Sequence, residues 1–239
     1  WLTQSPSFPS LSFAGDTITP VGIDFETENT LISFYGRLNY NLKERYMVTA
    51  TLREDGSSRF SPDNRWGLFP SVAAAWLVSD EAFMSNTKMY LKLRAGYGVT
   101  GQQDIFYDYP YIANYDSSTS TAQYQFGDAF YYLLRPDGYD PNIKWEETTS
   151  FNVGFDFGLK GDKISGSVDL YKKLTNDLLA TIPIPAGTNF TNQILTNVGN
   201  MENSGVEVNL SYMAIDRKDM SLEFGINGTA NRNEITNLT

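Results

Sequence analysis

The chain has 239 residues, a formal net charge of −10 and 14% aromatic residues, but neither cysteine nor histidine. The missing residue types exclude disulfides, cysteine or histidine metal sites, and catalytic triads that use a histidine base. The acidity disfavours contact with a phosphate backbone, so nucleic acid is not an expected partner.

Long segments in which apolar and polar residues alternate recur along the chain, as expected for strands with one apolar face. In residues 32–42, for example, Phe34 and Leu38 fall on one face, and Arg37 and Asn39 fall on the other. About eight such strands are predicted. They lie at residues 32–42, 46–53, near 66–78, 91–100, 151–159, near 163–174, 206–212 and 222–230.

The connections between these strands alternate between short and long. The short ones are residues 43–45, 160–163 and 216–219, residues 79–88 are intermediate, and the long ones are roughly 54–65, 101–146 and 175–202. Long strands with short turns on one rim and long loops on the other are typical of an outer-membrane barrel. The longest apolar run, residues 72–78, is too short for a spanning helix, whereas a barrel strand crosses with about 9–11 residues. The predicted fold class is therefore all-β, a transmembrane antiparallel β-barrel.

The polar faces of the predicted strands indicate a wide, hydrated lumen. A narrow barrel of about eight strands would have to satisfy each of these inward polar groups with a partner. The chain also begins at Trp1 without an initiating methionine or a leader segment. We therefore expect it to be an arc of a larger barrel rather than a closed barrel of its own.

Several segments resemble one protein family. Residues 46–60 read YMVTATLREDGSSRF, and RWGLFPS follows at residues 65–71. Further matching segments lie, in the same order, at residues 75–83, 91–102, 144–156, 171–179 and 197–207. Together they resemble the SusC/RagA family of TonB-dependent outer-membrane transporters of Bacteroidetes-type bacteria, over about residues 31–235.

This resemblance implies a barrel of 22 strands that is plugged by an N-terminal domain and driven by the TonB complex. It also implies a SusD-like surface lipoprotein as a lid over the extracellular mouth. Residues 1–239 would form part of the C-terminal side of the barrel, surrounded by outer-membrane lipid, with the plug and TonB box outside the given sequence. Residues 101–146 would be a long extracellular loop.

The candidate ligand or lid contacts lie mainly in that loop, because its many aromatic residues predict a folded rather than a disordered segment. Tyrosine suits sugar stacking or peptide docking, although packing against neighbouring loops or the lid is the favoured interpretation. The candidates are Tyr107, Tyr109, Tyr111, Tyr115, Tyr124, Tyr131 and Tyr132. Asp55 is a further candidate, but the Asp-Gly pair is better explained as turn chemistry.

Other motifs give no chemistry of their own. Residues 96–101 fit the G-x-G-x-x-G pattern, yet no helix is predicted after them, so no dinucleotide cofactor is expected. Asp137, Asp140 and Asn142 could ligate a calcium ion but are ordinary turn residues, and no metal site is predicted. Glu146 and Glu147 are neighbours on a strand and point to opposite faces, which rules out a glycosidase pair.

The predicted function is active import of nutrient oligomers, either glycans or peptides, without catalysis. Two alternatives remain open from the residues. One is a structural barrel subunit of a larger outer-membrane assembly that does not transport. The other is a soluble β-sandwich that binds carbohydrate.

Overall fold

The computed structural model describes residues 28–105, 108–117, 123–159, 161, 163–189 and 191–238. Fourteen strands lie in these ranges, together with two short 3-10 turns at Val78–Asp80 and Ala82–Met84. The strands are β1 Leu31–Leu42, β2 Tyr46–Ser57, β3 Trp66–Leu77, β4 Tyr90–Gln102, β5 Tyr115–Ser117, β6 Gln123–Phe126, β7 Ala129–Tyr132, β8 Leu134–Pro136, β9 Glu146–Leu159, β10 Ile164–Asn176, β11 Leu179–Pro183, β12 Gln193–Asn197, β13 Asn200–Arg217 and β14 Met220–Asn237.

Eight of these strands form one antiparallel sheet in the order β1-β2-β3-β4-β9-β10-β13-β14. Each strand pairs with the next long strand along the chain, so the sheet is a meander, and the prediction of about eight strands is confirmed. The six short strands form three separate two-stranded ladders, β5-β8, β6-β7 and β11-β12. β1 and β14 have no second neighbour among the described residues, so the outer edge of each is open.

The sheet has one apolar and one polar face across all eight strands. The pairing of the strands places five apolar residues side by side in one row, Tyr46, Trp76, Leu93, Phe155 and Val168. Residues one position away point to the other face, which carries mainly serine, threonine, asparagine and charged side chains. Most large apolar side chains are exposed, including Ile226 at 72%. The apolar face therefore has no protein partner within the described residues.

The two longest loops lie at one rim of the sheet and the shortest turns lie at the other, although the connection at residues 78–89 is longer than the one at residues 58–65 on the opposite rim. The short-turn rim carries residues 43–45, 78–89, 160–163 and 218–219, and the long-loop rim carries residues 58–65, 103–145 and 177–199. On β9 the apolar residues run from Phe151 to Leu159. At roughly 3.3 Å per residue and a tilt of about 40°, this band is about 23 Å tall, close to the apolar belt of membrane barrels.

β13 and β14 are longer than predicted. Each has 18 residues, whereas alternation of polarity predicted only residues 206–212 and 222–230. The additional ladder joins residues such as Glu202 to Glu234 and Ser204 to Arg232, which are polar on the otherwise apolar face. Backbone pairing continues there because both faces can be hydrated above the apolar band, so side-chain alternation no longer marks the strand.

Five of the six buried hydrophobic residues of the described chain gather at the long-loop rim, and the sixth, Val78, lies at the short-turn rim. The cluster consists of Phe60, Phe69, Ile105, Ile143 and Trp145, each at most 6% exposed. No helix among the described residues is long and apolar enough to cross a membrane. The sheet is therefore a single layer, and its packing centre lies where its loops meet.

A pair of lysine substitutions tests the assignment of the two faces. Val208 lies on the apolar face of β13, and its neighbour Asn209 lies on the polar face. We expect Val208→Lys to destabilise the folded protein by about 2–4 kcal/mol, the cost of a lysine facing the bilayer midplane, and Asn209→Lys to have little effect. The amount of folded protein can be measured by heat-modifiable gel mobility, and equal losses for both variants would contradict the assignment.

Candidate functional site at the long-loop rim and the polar wall

The turn that follows β2 is buried, although it lies at a rim of the sheet. Ser57 is 1% exposed, Ser58 is 8% exposed and Phe60 is fully buried. Ser58 fastens the turn to the start of β1, because its backbone N–H donates to the Thr30 carbonyl at 3.0 Å and its hydroxyl accepts from the Thr30 N–H at 2.9 Å. The segment is thus a fixed point to which the long loop can attach.

Arg59 holds the first part of the long loop against this turn. Its guanidinium donates to the Gln103 carbonyl at 3.1 Å, to Asp104 at 3.3 Å and to Asp108 at 3.3 Å. The Arg59 and Asp108 side chains are only 16% and 12% exposed, whereas Asp104 is 85% exposed. Because exposed ion pairs contribute little, the pair with Asp108 is the stronger anchor.

The buried cluster joins both ends of the long loop to the sheet. Trp145, at the end of the loop, lies 5.0 Å from the Phe60 ring and 5.3 Å from the Phe69 ring, measured between centroids. Its indole N–H donates to the Arg65 carbonyl at 3.0 Å, so its polar atom is satisfied. Ile105 comes from the start of the same loop. The loop is therefore clamped at both of its ends.

The last glycine of the G-x-G-x-x-G pattern is explained by this packing. A Cβ at Gly101 would lie 2.1 Å from the Phe69 ring and 2.9 Å from the Trp145 ring. No side chain fits in that space without displacing the two aromatic rings. Residues 96–101 lie in β4, and no helix begins in residues 103–105 after it, so the helix N-terminus that would hold a phosphate does not follow the pattern.

A second loop, residues 177–199, is joined to the end of the long loop by Asn197. The side-chain amide of Asn197 donates to the Lys144 carbonyl at 2.9 Å and to the Asp177 carbonyl at 2.8 Å. Its side-chain oxygen accepts from the Lys144 N–H at 2.9 Å, and the Lys144 ammonium pairs with the Asp177 carboxylate at 2.8 Å. Asn197 is thus a polar clip between two loops that are distant in sequence.

The seven candidate tyrosines have different environments. Tyr115, Tyr124, Tyr131 and Tyr132 are between 44% and 57% exposed, and the last three lie on the β6-β7 hairpin. Tyr109 is half-buried and donates its hydroxyl to the Glu28 carbonyl. Its pKa is raised, mainly by burial and then by the nearby Asp108 carboxylate. Tyr111 packs against the buried cluster.

The other candidates are placed as follows. Tyr107 lies outside the described residues. Asp55 is paired with Arg53 at 2.7 Å, and its side chain is 10% exposed. The interpretation of Asp55 and Gly56 as a turn is wrong, because both residues lie in β2 and pair with β3. Asp140 accepts from the Asn142 N–H within its own turn and from the Thr196 hydroxyl on β12, so its oxygens stabilise the turn and join it to the second loop. No group of metal-ligating side chains occurs within the described ranges. The contacts of these candidates with a ligand or a lid stay predictions.

The polar face carries a charged network that the sequence did not reveal. Arg94 on β4 makes paired hydrogen bonds to Asp156 on β9, at 2.8 and 3.0 Å, and to Asp169 on β10, at 2.9 and 3.0 Å. It reaches β10 across Gly154, which lies opposite both Arg94 and Asp169 in the sheet. A Cβ at Gly154 would lie 2.3 Å from the Asp169 carboxylate oxygen. The glycine therefore allows one guanidinium to join three strands.

Beside this network the polar face forms an open concavity of about 790 Å³ near the short-turn rim. Its lining includes the hydroxyl and amide side chains of Ser165, Ser167, Asn209, Ser211 and Asn227, together with Asp156 of the network. The hydroxyl and amide groups can both donate and accept hydrogen bonds. The arrangement of wall and rim suits binding a polar molecule.

Comparisons of the sequence with known proteins all indicate the same family. The family described as "TonB dependent receptor-like, beta-barrel" matches residues 4–237. The chain is similar to the TonB-dependent receptor SusC of Bacteroides thetaiotaomicron, with 47% identity over 217 residues. Those residues are 90% of this chain and 22% of SusC. It is also similar to the TonB-dependent receptor P39 of Formosa agariphila, with 36% identity over 89% of this chain and 20% of that receptor.

The fold is similar to solved structures as well. A structure of the RagAB peptide transporter superposes with a TM-score of 0.76 and 29% identity, over 88% of this chain and 23% of that one. The RagAB peptide importer has also been solved in states named "closed-closed" and "open-open", each with a TM-score of 0.76. The chain thus spans about a fifth of the length of the relatives that it matches.

Removing the central aromatic ring of the buried cluster tests the anchoring of the long loop. We expect Trp145→Ala to weaken the attachment by about 3–5 kcal/mol, the usual cost of deleting a buried tryptophan ring, and to speed proteolytic cleavage within residues 103–145. Tyr131→Ala, an exposed aromatic on the same loop, is the matched control. Cleavage of both variants at the same rate in limited proteolysis would show that the cluster does not hold the loop.

The role of Gly154 can be measured with a double-mutant cycle. Gly154→Ala should displace Asp169 from Arg94 and cost about 1–2 kcal/mol, because the partly exposed ion pairs are worth less than buried ones. Asp169→Ala removes the clashing carboxylate, so the two substitutions together should cost less than their sum. Gly228→Ala, which would meet no atom within 4 Å, is the control. The readout is the temperature at which the folded band disappears from the gel. If the shifts of the two single variants add up to the shift of the double variant, the coupling is refuted.

Proposed function

The chain belongs to the family of TonB dependent receptor-like β-barrels of the bacterial outer membrane, and from that premise we propose that it forms part of the wall of an active nutrient importer. The imported molecules would be oligomers, either glycans or peptides. The energy would come from the TonB complex, through a plug and an N-terminal segment that belong to the rest of the protein. Residues 1–239 would supply the C-terminal side of the barrel.

The observation that carries this proposal is the division of one sheet into two faces and two rims. The apolar face suits contact with outer-membrane lipid, since a barrel alternates apolar residues outward and polar residues inward. The polar face, with the Arg94 network and the neighbouring concavity, would line the lumen and contact the plug. The long-loop rim would face the cell exterior, because the long loops of such barrels are extracellular.

We further propose that a SusD-like surface lipoprotein covers the long-loop rim as a lid. The loops at this rim are fixed at their bases by the cluster around Trp145 and by the Asn197 clip, while the β6-β7 hairpin between them is exposed. A loop with a fixed base and an exposed aromatic tip favours binding. Little of such a loop has to become ordered when the partner docks, so the entropy cost is small. Tyr124, Tyr131 and Tyr132 are the proposed contacts.

The same tyrosines could also contact the imported oligomer. An aromatic ring with a hydroxyl stacks on a sugar ring or packs on a peptide and offers a hydrogen bond at its edge. Asp55, ion-paired and mostly buried near the end of β2, is better suited to stabilise that strand than to meet cargo. The proposal therefore assigns cargo and lid contacts to the exposed tyrosines and a structural role to Asp55.

Growth of a strain that lacks the gene tests transport. Wild-type and deletion strains would be compared on a panel of purified oligosaccharides and oligopeptides, each paired with its monomer as the sole carbon source. We expect growth to be lost on at least one oligomer and retained on its monomer, and the intact gene to restore it. Equal growth of both strains across the panel, with the protein abundant in the outer membrane, would favour a structural role without transport.

Purification of the intact protein from the outer membrane in mild detergent tests the lid. We expect a surface lipoprotein to copurify in roughly equal amount, as judged by mass spectrometry of the intact complex. Replacing Tyr124, Tyr131 and Tyr132 with serine should lower its recovery several-fold, because the exposed aromatic contacts are lost. The control is Tyr35→Ser, because Tyr35 is an exposed tyrosine on the polar face of β1. Undiminished recovery from the triple variant would remove the hairpin from the interface.

A further inference from the structure

An apolar groove of about 450 Å³ lies on the outward face near the short-turn rim. Its floor contains two alanines, Ala74 on β3 and Ala95 on β4, which lie directly opposite each other in the sheet. On the side of the short-turn rim, the neighbouring row of larger residues includes Trp76, Leu93 and Phe155. Small residues beside a row of large ones produce a depression in a surface that otherwise faces lipid.

The aromatic wall of the groove is held by a carboxylate at the rim. Glu81 accepts hydrogen bonds from the Tyr46 hydroxyl at 2.6 Å and from the Trp76 indole at 3.1 Å. The two rings are stacked with centroids 6.2 Å apart. The hydrogen bond from Tyr46, followed by that from Trp76, lowers the pKa of Glu81, which therefore stays ionised as an acceptor at neutral pH. The wall of the groove is thus built from fixed side chains.

Charged groups of both signs lie at the mouth of the groove. Arg45 donates to Glu81 at 3.5 Å, and Lys43 interacts electrostatically with the same carboxylate. Glu44 lies between these two cations in the turn, and Lys43, Glu44 and their neighbours are exposed. Two cations and two carboxylates complement a headgroup that has both a phosphate and an amine.

We propose that this groove is a binding site for one phospholipid with a zwitterionic amine headgroup, held more tightly than the surrounding lipid. One acyl chain lies over Ala74 and Ala95 against Trp76 and Phe155. The phosphate lies at Lys43 and Arg45, and the amine lies at the carboxylates. The site rests on the proposed orientation, in which the short-turn rim faces the periplasm and the lipid comes from the inner leaflet.

Native mass spectrometry of the intact transporter tests the site directly. The protein would be purified in mild detergent and incubated with phosphatidylethanolamine or with phosphatidylglycerol. We expect one retained phosphatidylethanolamine per protein, and at least tenfold lower retention for the double variant Ala74→Leu and Ala95→Leu, whose side chains fill the floor. The matched control is Ala50→Leu with Ala230→Leu, two alanines on the same face outside the groove.

The outcomes separate this proposal from the proposed transport. Equal lipid retention by the groove-filled and control variants, both folded by gel mobility, would overturn the proposed lipid site. That result would not affect the growth experiment, which tests transport. Lys43→Gln should lower retention several-fold, with Lys218→Gln in the β13–β14 turn of the same rim as its control. Unchanged retention in Lys43→Gln, or stronger retention of phosphatidylglycerol than of phosphatidylethanolamine, would overturn the assigned headgroup.

Discussion

The structure depends on the need to pair every backbone N–H and C=O group that lies in lipid. Unpaired backbone groups in the hydrocarbon region cost several kcal/mol each, so membrane-spanning strands must belong to a closed sheet. The described sheet obeys this rule at each of its internal pairings and leaves only the outer edges of β1 and β14 open. In a closed barrel those edges would pair with further strands, and this chain spans only about a fifth of the length of its relatives.

The same constraint explains why the hydrophobic core lies at a rim. A single-layer wall between lipid and a hydrated lumen has no interior, so its apolar side chains stay exposed to the bilayer. Burial becomes possible only where loops fold over the ends of the strands, and there Phe60, Phe69 and Trp145 meet. The rim with the long loops is therefore the best-packed part of the described chain, and it also carries the exposed tyrosines of the β6-β7 hairpin.

The sequence predicted the structure well where one face of each strand contacts lipid, and less well beyond that apolar band. Alternation located the strands in the apolar band, because each second residue there must be apolar. It stopped at residue 206 in β13, although the strand begins at Asn200, because water on both faces removes the pattern. The β11-β12 hairpin and the Asn197 clip were missed for the same reason. The sequence does not distinguish Gly154 from other small residues on the polar face. Its role depends on Asp169, which is fifteen positions away and on another strand.

Hydrogen–deuterium exchange of the intact protein in outer-membrane vesicles tests the central claim most directly. In an antiparallel strand alternate N–H groups point to opposite sides, so an open edge exposes about half of the amides. If the chain is an arc of a larger closed barrel, peptides from Leu31–Leu42 and from the membrane part of Met220–Asn237 will be protected throughout. Rapid exchange of about half the amides in either strand would show an open edge and contradict the proposal that the chain is an arc of a larger closed barrel.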